Sequence, residues 1–92
     1  MIRSFNSPDT EALYGGKRVP RFANIERVAT RKLQILEDAV ALQDLKSPPG
    51  NRLEALKGDR KGQHSIRVND QWRICFVWTE AGPERVEIVD YH

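Results

Sequence analysis

Large apolar side chains occupy every second position in two neighbouring stretches of the chain, residues 65–68 and 72–78. They are Ile66, Val68, Trp72, Ile74, Phe76 and Trp78. A period of two is typical of strands in an antiparallel sheet with one apolar face. Asn69 and Asp70 lie between the stretches, and both residue types tolerate the positive φ of a tight turn. The pattern therefore predicts a β-hairpin.

The first half of the chain follows a helical period instead. Apolar residues recur mostly at spacings of three and four, which predicts an amphipathic helix over about residues 23–42. They are Phe22, Ile25, Val28, Ala29, Leu33, Leu36, Ala39 and Val40. A shorter helix is predicted to begin near residues 6–9, where a capping residue precedes a proline, and to end at Gly15-Gly16.

The remaining segments are predicted to form strands and loops. We expect an edge strand at residues 1–5, a loop at 47–51, a short strand at 52–56 and a last strand at 85–90. Strands that follow one another through short turns must be antiparallel.

These elements predict an α+β protein with one domain spanning residues 1–92. A short N-terminal strand and two helices are expected to pack on one face of a twisted antiparallel sheet of about four strands. The opposite face is left open. It carries Arg67 and Arg73, and we expect a functional site there.

The distribution of charge adds a chemical bias to this fold. Net charge is only +2, but ten of the fifteen basic residues are arginines, and residues 17–32 hold six basic side chains against one acidic. The planar guanidinium matches phosphate oxygens, so the set favours nucleic-acid binding. Arg27 and Arg31 stand one helical turn apart and are predicted to form a basic ridge, which either contacts RNA or simply faces solvent.

Other features of the sequence argue against several function classes. The single cysteine, Cys75, excludes an internal disulfide and a cysteine-based metal site. His64 and His92 show no metal-ligand spacing, so neither a metal nor another cofactor is expected. No apolar run is long enough to cross a bilayer and no secretory leader is recognisable, so we expect a cytoplasmic protein without a membrane partner.

The remaining polar residues suit metal-independent RNA cleavage. That reaction needs a base for the 2′-hydroxyl, an acid for the departing 5′-oxygen, and cations for the phosphate oxygens. The candidate cations for the reaction are Lys57, Arg60, Arg67 and Arg73. RNA phosphate contacts are predicted for Arg60, Lys61, Arg67, Arg27 and Arg31. The candidates for proton transfer are Asp90, Tyr91 and His92, with Glu54 and His64 as further possibilities.

Strand alternation restricts how the last residues reach the open face. If Val86 and Ile88 face the helices, only Tyr91 of the final three side chains points to the open face. Asp90 and His92 join it only where the chain twists or leaves the sheet.

Several motifs stand in a characteristic order. L-K-G-D-R-K-G at residues 56–62 precedes S-I-R-V at 65–68 and W-R-I-C-F at 72–76, and the sequence ends in V-D-Y-H. In order, spacing and total length the chain resembles the HigB-type toxins of the RelE/ParE superfamily. The resemblance implies a RelE-like fold and a type II toxin that inhibits translation. Such a toxin is a ribosome-dependent mRNA endoribonuclease, or mRNA interferase, that cuts the message in the decoding site by 2′-hydroxyl attack.

The resemblance also implies residue roles and partners. Asp90, Tyr91 and His92 match the C-terminal catalytic residues of the family, Arg73 matches the arginine that holds the scissile phosphate, and Lys57 matches the lysine of the first motif. The implied partners are the ribosome, mRNA and a helix-turn-helix antitoxin of the HigA type. Operator DNA would be bound through that antitoxin.

One residue departs from the pattern. Some HigB toxins have a catalytic histidine where this chain has Glu54. A carboxylate accepts a proton but does not donate one at neutral pH unless its pKa is raised, so weaker cleavage or a changed division of roles is expected. Two other functions stay open: a ParE-like toxin that binds DNA gyrase without catalysis, and an RNA-binding module without toxicity.

Overall fold

Four antiparallel strands in the order β1-β2-β3-β4 form the sheet on which two helices pack, as the computed structural model shows. The structure describes residues 1–90. The elements are α1 (Pro8–Tyr14), α2 (Glu26–Asp38), β1 (Glu54–Ala55), β2 (His64–Arg67), β3 (Trp72–Thr79) and β4 (Gly82–Asp90). This confirms the predicted α+β architecture.

The central hairpin of β2 and β3 forms as predicted, but its turn is held by a side chain. Asn69 Oδ1 accepts hydrogen bonds from the backbone amides of Gln71 and Trp72, both at 2.8 Å. Within residues 1–90, positive φ among residues other than glycine occurs only at Arg52 and Arg85. The asparagine therefore acts through its own hydrogen bonds rather than through a left-handed backbone.

A β-bulge in β4 sets the position of the N-terminal segment. The register with β3 shifts between Cys75 and Val77, and Arg85 adopts φ 53° at that point. Beyond it, the Val86 amide donates to the Ser4 carbonyl at 3.0 Å. The predicted N-terminal strand is thus an extended segment joined to β4 by a single parallel bridge, from Phe5 to Val86.

Both helices lie where they were predicted, although α2 is shorter. Ser7 caps α1, because its Oγ accepts from the Thr10 amide at 3.3 Å. The chain before α2 forms a 3-10 turn, and α2 begins only at Glu26. At its other end, the amides of residues 40 and 41 both donate to Asp44 Oδ2 at 3.0 Å instead of continuing the helix. The predicted helix over residues 23–42 is therefore too long at both ends.

The helices bury the apolar face of the sheet. Phe22, Leu33 and Leu36 belong to one hydrophobic cluster with Ile74 and Phe76 of β3, and all five are fully buried. Most of the core side chains are apolar positions of the sequence pattern, but Val40, predicted in the helical stripe, is 88% exposed because α2 ends before it, at Asp38. Among residues 1–90, no helix is both long and apolar enough to cross a membrane.

A buried polar contact fixes the loop that precedes β1. Lys32 on α2 is only 6% exposed, and its ammonium donates to Asn51 Oδ1. Asn51 Nδ2 donates to the Leu45 and Ser47 carbonyls at 3.1 and 3.2 Å. Burial lowers the pKa of Lys32, and the nearby charges of Arg31 and Arg67 act in the same direction. The contact anchors the residue just before Arg52.

We expect the Glu37→Gln variant to lose stability in a pH-dependent way. Glu37 accepts from the Ile2 amide at 3.0 Å, and this bond lowers the pKa of the carboxyl, with burial opposing it. Because the folded-state pKa is depressed, the contribution is present above the unfolded-state pKa and is lost as pH falls through the folded-state pKa. Urea unfolding should show a loss of about 1 kcal/mol at pH 7 that vanishes in acid.

The control for this measurement is Glu80→Gln, at an exposed turn position. It should change the free energy of unfolding little at any pH. A Glu37→Gln deficit that persists unchanged at low pH would contradict the assignment.

Candidate RNA-cleavage site

The sheet face opposite the helices carries two rows of side chains set by strand register. One row contains Glu54, Ser65, Cys75 and Glu87, which are paired in that order across β1 to β4. The other contains Arg67, Arg73 and Val89 across β2 to β4. Residues that pair directly across strands project to the same side. The register therefore confirms that Arg67 and Arg73 share the open face.

Arg73 reaches diagonally across β2 and is oriented by three acceptors. Its Nε donates to Ser65 Oγ at 2.7 Å, and its Nη2 donates to the carbonyls of Arg52 at 2.7 Å and of Ser65 at 3.4 Å. All three acceptors are uncharged. These hydrogen bonds orient the guanidinium.

Arg52 presents its carbonyl from a left-handed backbone. Its φ and ψ are 46° and 55°, a conformation that costs a residue other than glycine about 1–3 kcal/mol. Its amide donates to the Pro49 carbonyl at 3.1 Å, and the preceding Asn51 is anchored to Lys32. The surrounding contacts therefore hold this conformation in place.

The other two arginines of the open face form ion pairs. Arg67 pairs with Asp70, which is fully exposed. Arg60 pairs with Glu87 at 3.5 Å and also donates to Gln63 Oε1 at 3.1 Å. The 3-10 turn Gly58–Arg60 is thereby tied to the open face.

Cys75 lies beneath the charged layer. Burial raises the pKa of its thiol; Arg60 and Arg73 oppose this rise, while Glu87 and Glu54 add to it. Two cations and two carboxylates thus stand within electrostatic reach of one buried sulfur. Cys75 is a buried structural residue, as predicted from its position in the strand.

The remaining predicted cations are distributed over both layers. Lys57 is exposed just after the buried Leu56, and together with Glu54 it lines a shallow depression. Lys61 is exposed in the same loop. Arg27 and Arg31 are exposed on α2 and therefore stand in the helical layer, apart from the open face. The structure therefore places Arg67 and Arg73 on the open face, ties Arg60 to it through Glu87, and sets Lys57 in the loop after β1.

Asp90 follows the strand alternation that the sequence indicated. It pairs with Trp72, which puts it in the phase of the buried Ile88, and its Oδ2 accepts from Gln71 Nε2 at 3.1 Å. Tyr91 and His92 lie outside the described residues. The catalytic assignment of Asp90, Tyr91 and His92 stays a prediction.

His64 does not join the open face. It pairs with Phe76 in the helix-facing phase, with ring centroids 6.2 Å apart, and its Nδ1 is a buried atom without a hydrogen-bond partner in the described chain. Within residues 1–90, no three His, Cys, Asp or Glu side chains form a group suited to a metal ion.

Sequence reasoning missed Ser65 and Arg52. The alternation of β2 puts Ser65 on the same face as Arg67, which was a usable signal, but nothing in the sequence shows that its hydroxyl is buried against Arg73. Arg52 gave no signal, because an arginine is not expected in a left-handed conformation.

Comparisons with known proteins identify the family of this chain. The family described as "RelE-like toxin of type II toxin-antitoxin system HigB" matches residues 13–92. Toxin HigB-1 of Vibrio cholerae serotype O1 is 52% identical over 59 residues, which are 64% of this chain and 62% of that protein. A Haemophilus influenzae protein is 36% identical over 65 residues, or 71% of this chain and 64% of its own length. The alignments thus span less than two thirds of these two relatives.

Endoribonuclease HigB of Proteus vulgaris is 31% identical over 94 residues, and the alignment covers 100% of both chains. Among solved structures, the YoeB-YefM complex from Staphylococcus aureus contains a chain with a TM-score of 0.62 and 17% identity, covering 100% of this chain and 98% of that one. This likeness concerns the fold alone. The family match sets the identity: the chain belongs to the HigB-like family, the RelE-like toxins of type II toxin–antitoxin systems.

Proposed function

We propose that this protein is a ribosome-dependent mRNA endoribonuclease that inhibits translation. The observation that carries the proposal is Arg73, oriented on the open face by the hydrogen bonds that it donates to Ser65 and to the Arg52 carbonyl. A guanidinium whose direction is already set is suited to the charge that grows on phosphate oxygens during cleavage. The full-length relative from Proteus vulgaris, named Endoribonuclease HigB, supports the same activity.

The proposed reaction is a metal-independent transesterification. A base removes the proton of the 2′-hydroxyl, the 2′-oxygen attacks the adjacent phosphorus, and the 5′-oxygen leaves with a proton from an acid. The products are a 2′,3′-cyclic phosphate and a 5′-hydroxyl. Arg73 and Lys57 stabilise the phosphate, and Asp90, Tyr91 and His92 serve proton transfer.

Glu54 supports a specific division of roles. It starts β1 opposite Ser65, so it lies on the open face next to the residue that contacts Arg73, and it is exposed. From this position the carboxylate is suited to receive the proton of the 2′-hydroxyl. We assign the base role to Glu54 and the acid role to the C-terminal residues.

The proposed partners follow the family. YoeB is in complex with YefM in the structural neighbour, which supports an antitoxin partner for this chain. We assign that partner to the helix-turn-helix HigA type, which would carry the complex to operator DNA. The ribosome would deliver mRNA to the open face in the cytoplasm. Phosphates then replace Glu87 and Asp70 as partners of Arg60 and Arg67.

Arg73→Ala is expected to lower single-turnover cleavage of ribosome-bound mRNA by about 10²–10³-fold, because a preorganised donor to the developing charge is removed. Arg73→Lys should recover only part of the rate, since lysine lacks the planar fork. The matched control is Arg18→Ala, an exposed arginine of the connector before α2. It should cleave as wild type does.

Equal cleavage by Arg73→Ala and wild type would refute this site. A chain that leaves mRNA intact but inhibits DNA supercoiling by gyrase would instead support the ParE-like function. Growth arrest on expression, measured beside both assays, links the activity to toxicity.

Replacing the 2′-hydroxyl at the cleaved nucleotide by hydrogen should abolish cleavage, because the proposed nucleophile is removed. The downstream fragment from unmodified mRNA should carry a 5′-hydroxyl that polynucleotide kinase labels without prior phosphatase treatment. A 5′-phosphate product, or cleavage of the 2′-deoxy substrate at the normal rate, would contradict the metal-independent mechanism. A 2′-deoxy substitution three nucleotides away serves as the control substrate.

A further inference from the structure

We infer that Ser65 is a positioning residue for Arg73: its buried hydroxyl, together with the carbonyl of left-handed Arg52, fixes the guanidinium before RNA binds. This inference rests on the proposed nuclease function. It assigns a role to Ser65, which belongs to the S-I-R-V motif but was not among the predicted site residues.

Ser65 is built as a rigid acceptor. It is fully buried in β2, between β1 and β3, where it pairs with Glu54 on one side and Cys75 on the other. Strand pairing on both sides fixes its backbone, and its short side chain has one rotatable bond to the hydroxyl. The 2.7 Å contact from Arg73 Nε to this oxygen therefore constrains the longer side chain.

Arg52 supplies the second fixed point. Its carbonyl lies 2.7 Å from Arg73 Nη2, and its left-handed backbone is held by the 3-10 turn Pro49–Asn51. The buried hydrogen bond between Lys32 and Asn51 anchors this 3-10 turn. Two acceptors attached to different segments engage two different nitrogens, so they define the plane of the guanidinium.

The two acceptors hold the Arg73 side chain in one conformation. Ser65 Oγ accepts from Nε and the Arg52 carbonyl accepts from Nη2, both at 2.7 Å. Ordering a long arginine side chain costs conformational entropy. Because these hydrogen bonds order Arg73 when the protein folds, less entropy is lost when RNA binds. Loss of the Ser65 hydroxyl should therefore affect alignment in the transition state more than RNA affinity.

The first experiment measures the position of Arg73 without any reaction. In protein labelled with ¹⁵N-arginine, Ser65→Ala should lower the order parameter of the Arg73 Nε–H bond and increase its exchange with solvent at least about threefold. The Arg67 signal serves as an internal reference. Ser7→Ala removes a comparable hydroxyl contact at the α1 cap, and should leave the Arg73 signal unchanged.

The second experiment is a double-mutant cycle on single-turnover cleavage of ribosome-bound mRNA. Ser65→Ala should slow the step about tenfold at saturating ribosome, with the half-saturating concentration changed less than about twofold. In the Arg73→Ala background the same substitution should change the rate less than about twofold. Ser65→Thr, which keeps the hydroxyl, should recover most of the ordering of Arg73.

Each outcome bears on one proposal. An unchanged Arg73 Nε signal in folded Ser65→Ala overturns the positioning role, as does an undiminished Ser65→Ala effect in the Arg73→Ala background. Increased Arg73 mobility with a normal cleavage rate also overturns it, because alignment would then not matter to the reaction. Cleavage by Arg73→Ala at the wild-type rate overturns the nuclease site itself. The NMR measurement of Arg73 ordering does not depend on cleavage, so the two failures can be distinguished.

Discussion

The alternation of side chains along β2, β3 and β4 is the constraint on which the rest of this structure depends. Burial of Ile66, Ile74 and Ile88 beneath the helices fixes the register, because a shift by one residue would expose the whole apolar set. The same register forces Ser65 and Arg73 onto the opposite face. One strand register therefore places the core residues on one face of the sheet and the site residues on the other, and burial of the apolar face specifies that register.

The open face balances its charges rather than presenting a uniform cationic surface. Arg60 is matched by Glu87 and Arg67 by Asp70, while the acceptors described for Arg73 are neutral. Surface ion pairs of this kind contribute little stability, so their exchange for phosphate is not costly. A balanced face also limits indiscriminate attraction of RNA, since nonspecific binding follows neutralised phosphate charge. On the proposed function, this suits an enzyme that receives its substrate from the ribosome.

Much of the fold followed from local pattern. The period of two specified the hairpin, and the cap at Ser7 with the glycines after Tyr14 specified α1. The C-terminal end of α2 could not be predicted, because the amides of residues 40 and 41 donate to the side chain of Asp44 instead of continuing the helix. The cations of the site were identified from residue type, but the contact of Arg73 with Ser65 and Arg52 depends on backbone geometry that no propensity encodes. The phase of Asp90 followed from alternation alone.

The bulge at Arg85 has a consequence for self-association. By turning β4 toward residues 3–6, it lets that segment occupy the strand's outer edge, where Pro83, Val86 and Ile88 all use backbone groups in contacts with residues 3–10. A second molecule cannot extend the sheet there without first displacing the segment. At the opposite edge β1 offers only two residues, Glu54 and Ala55, which is too short a template for fibril growth.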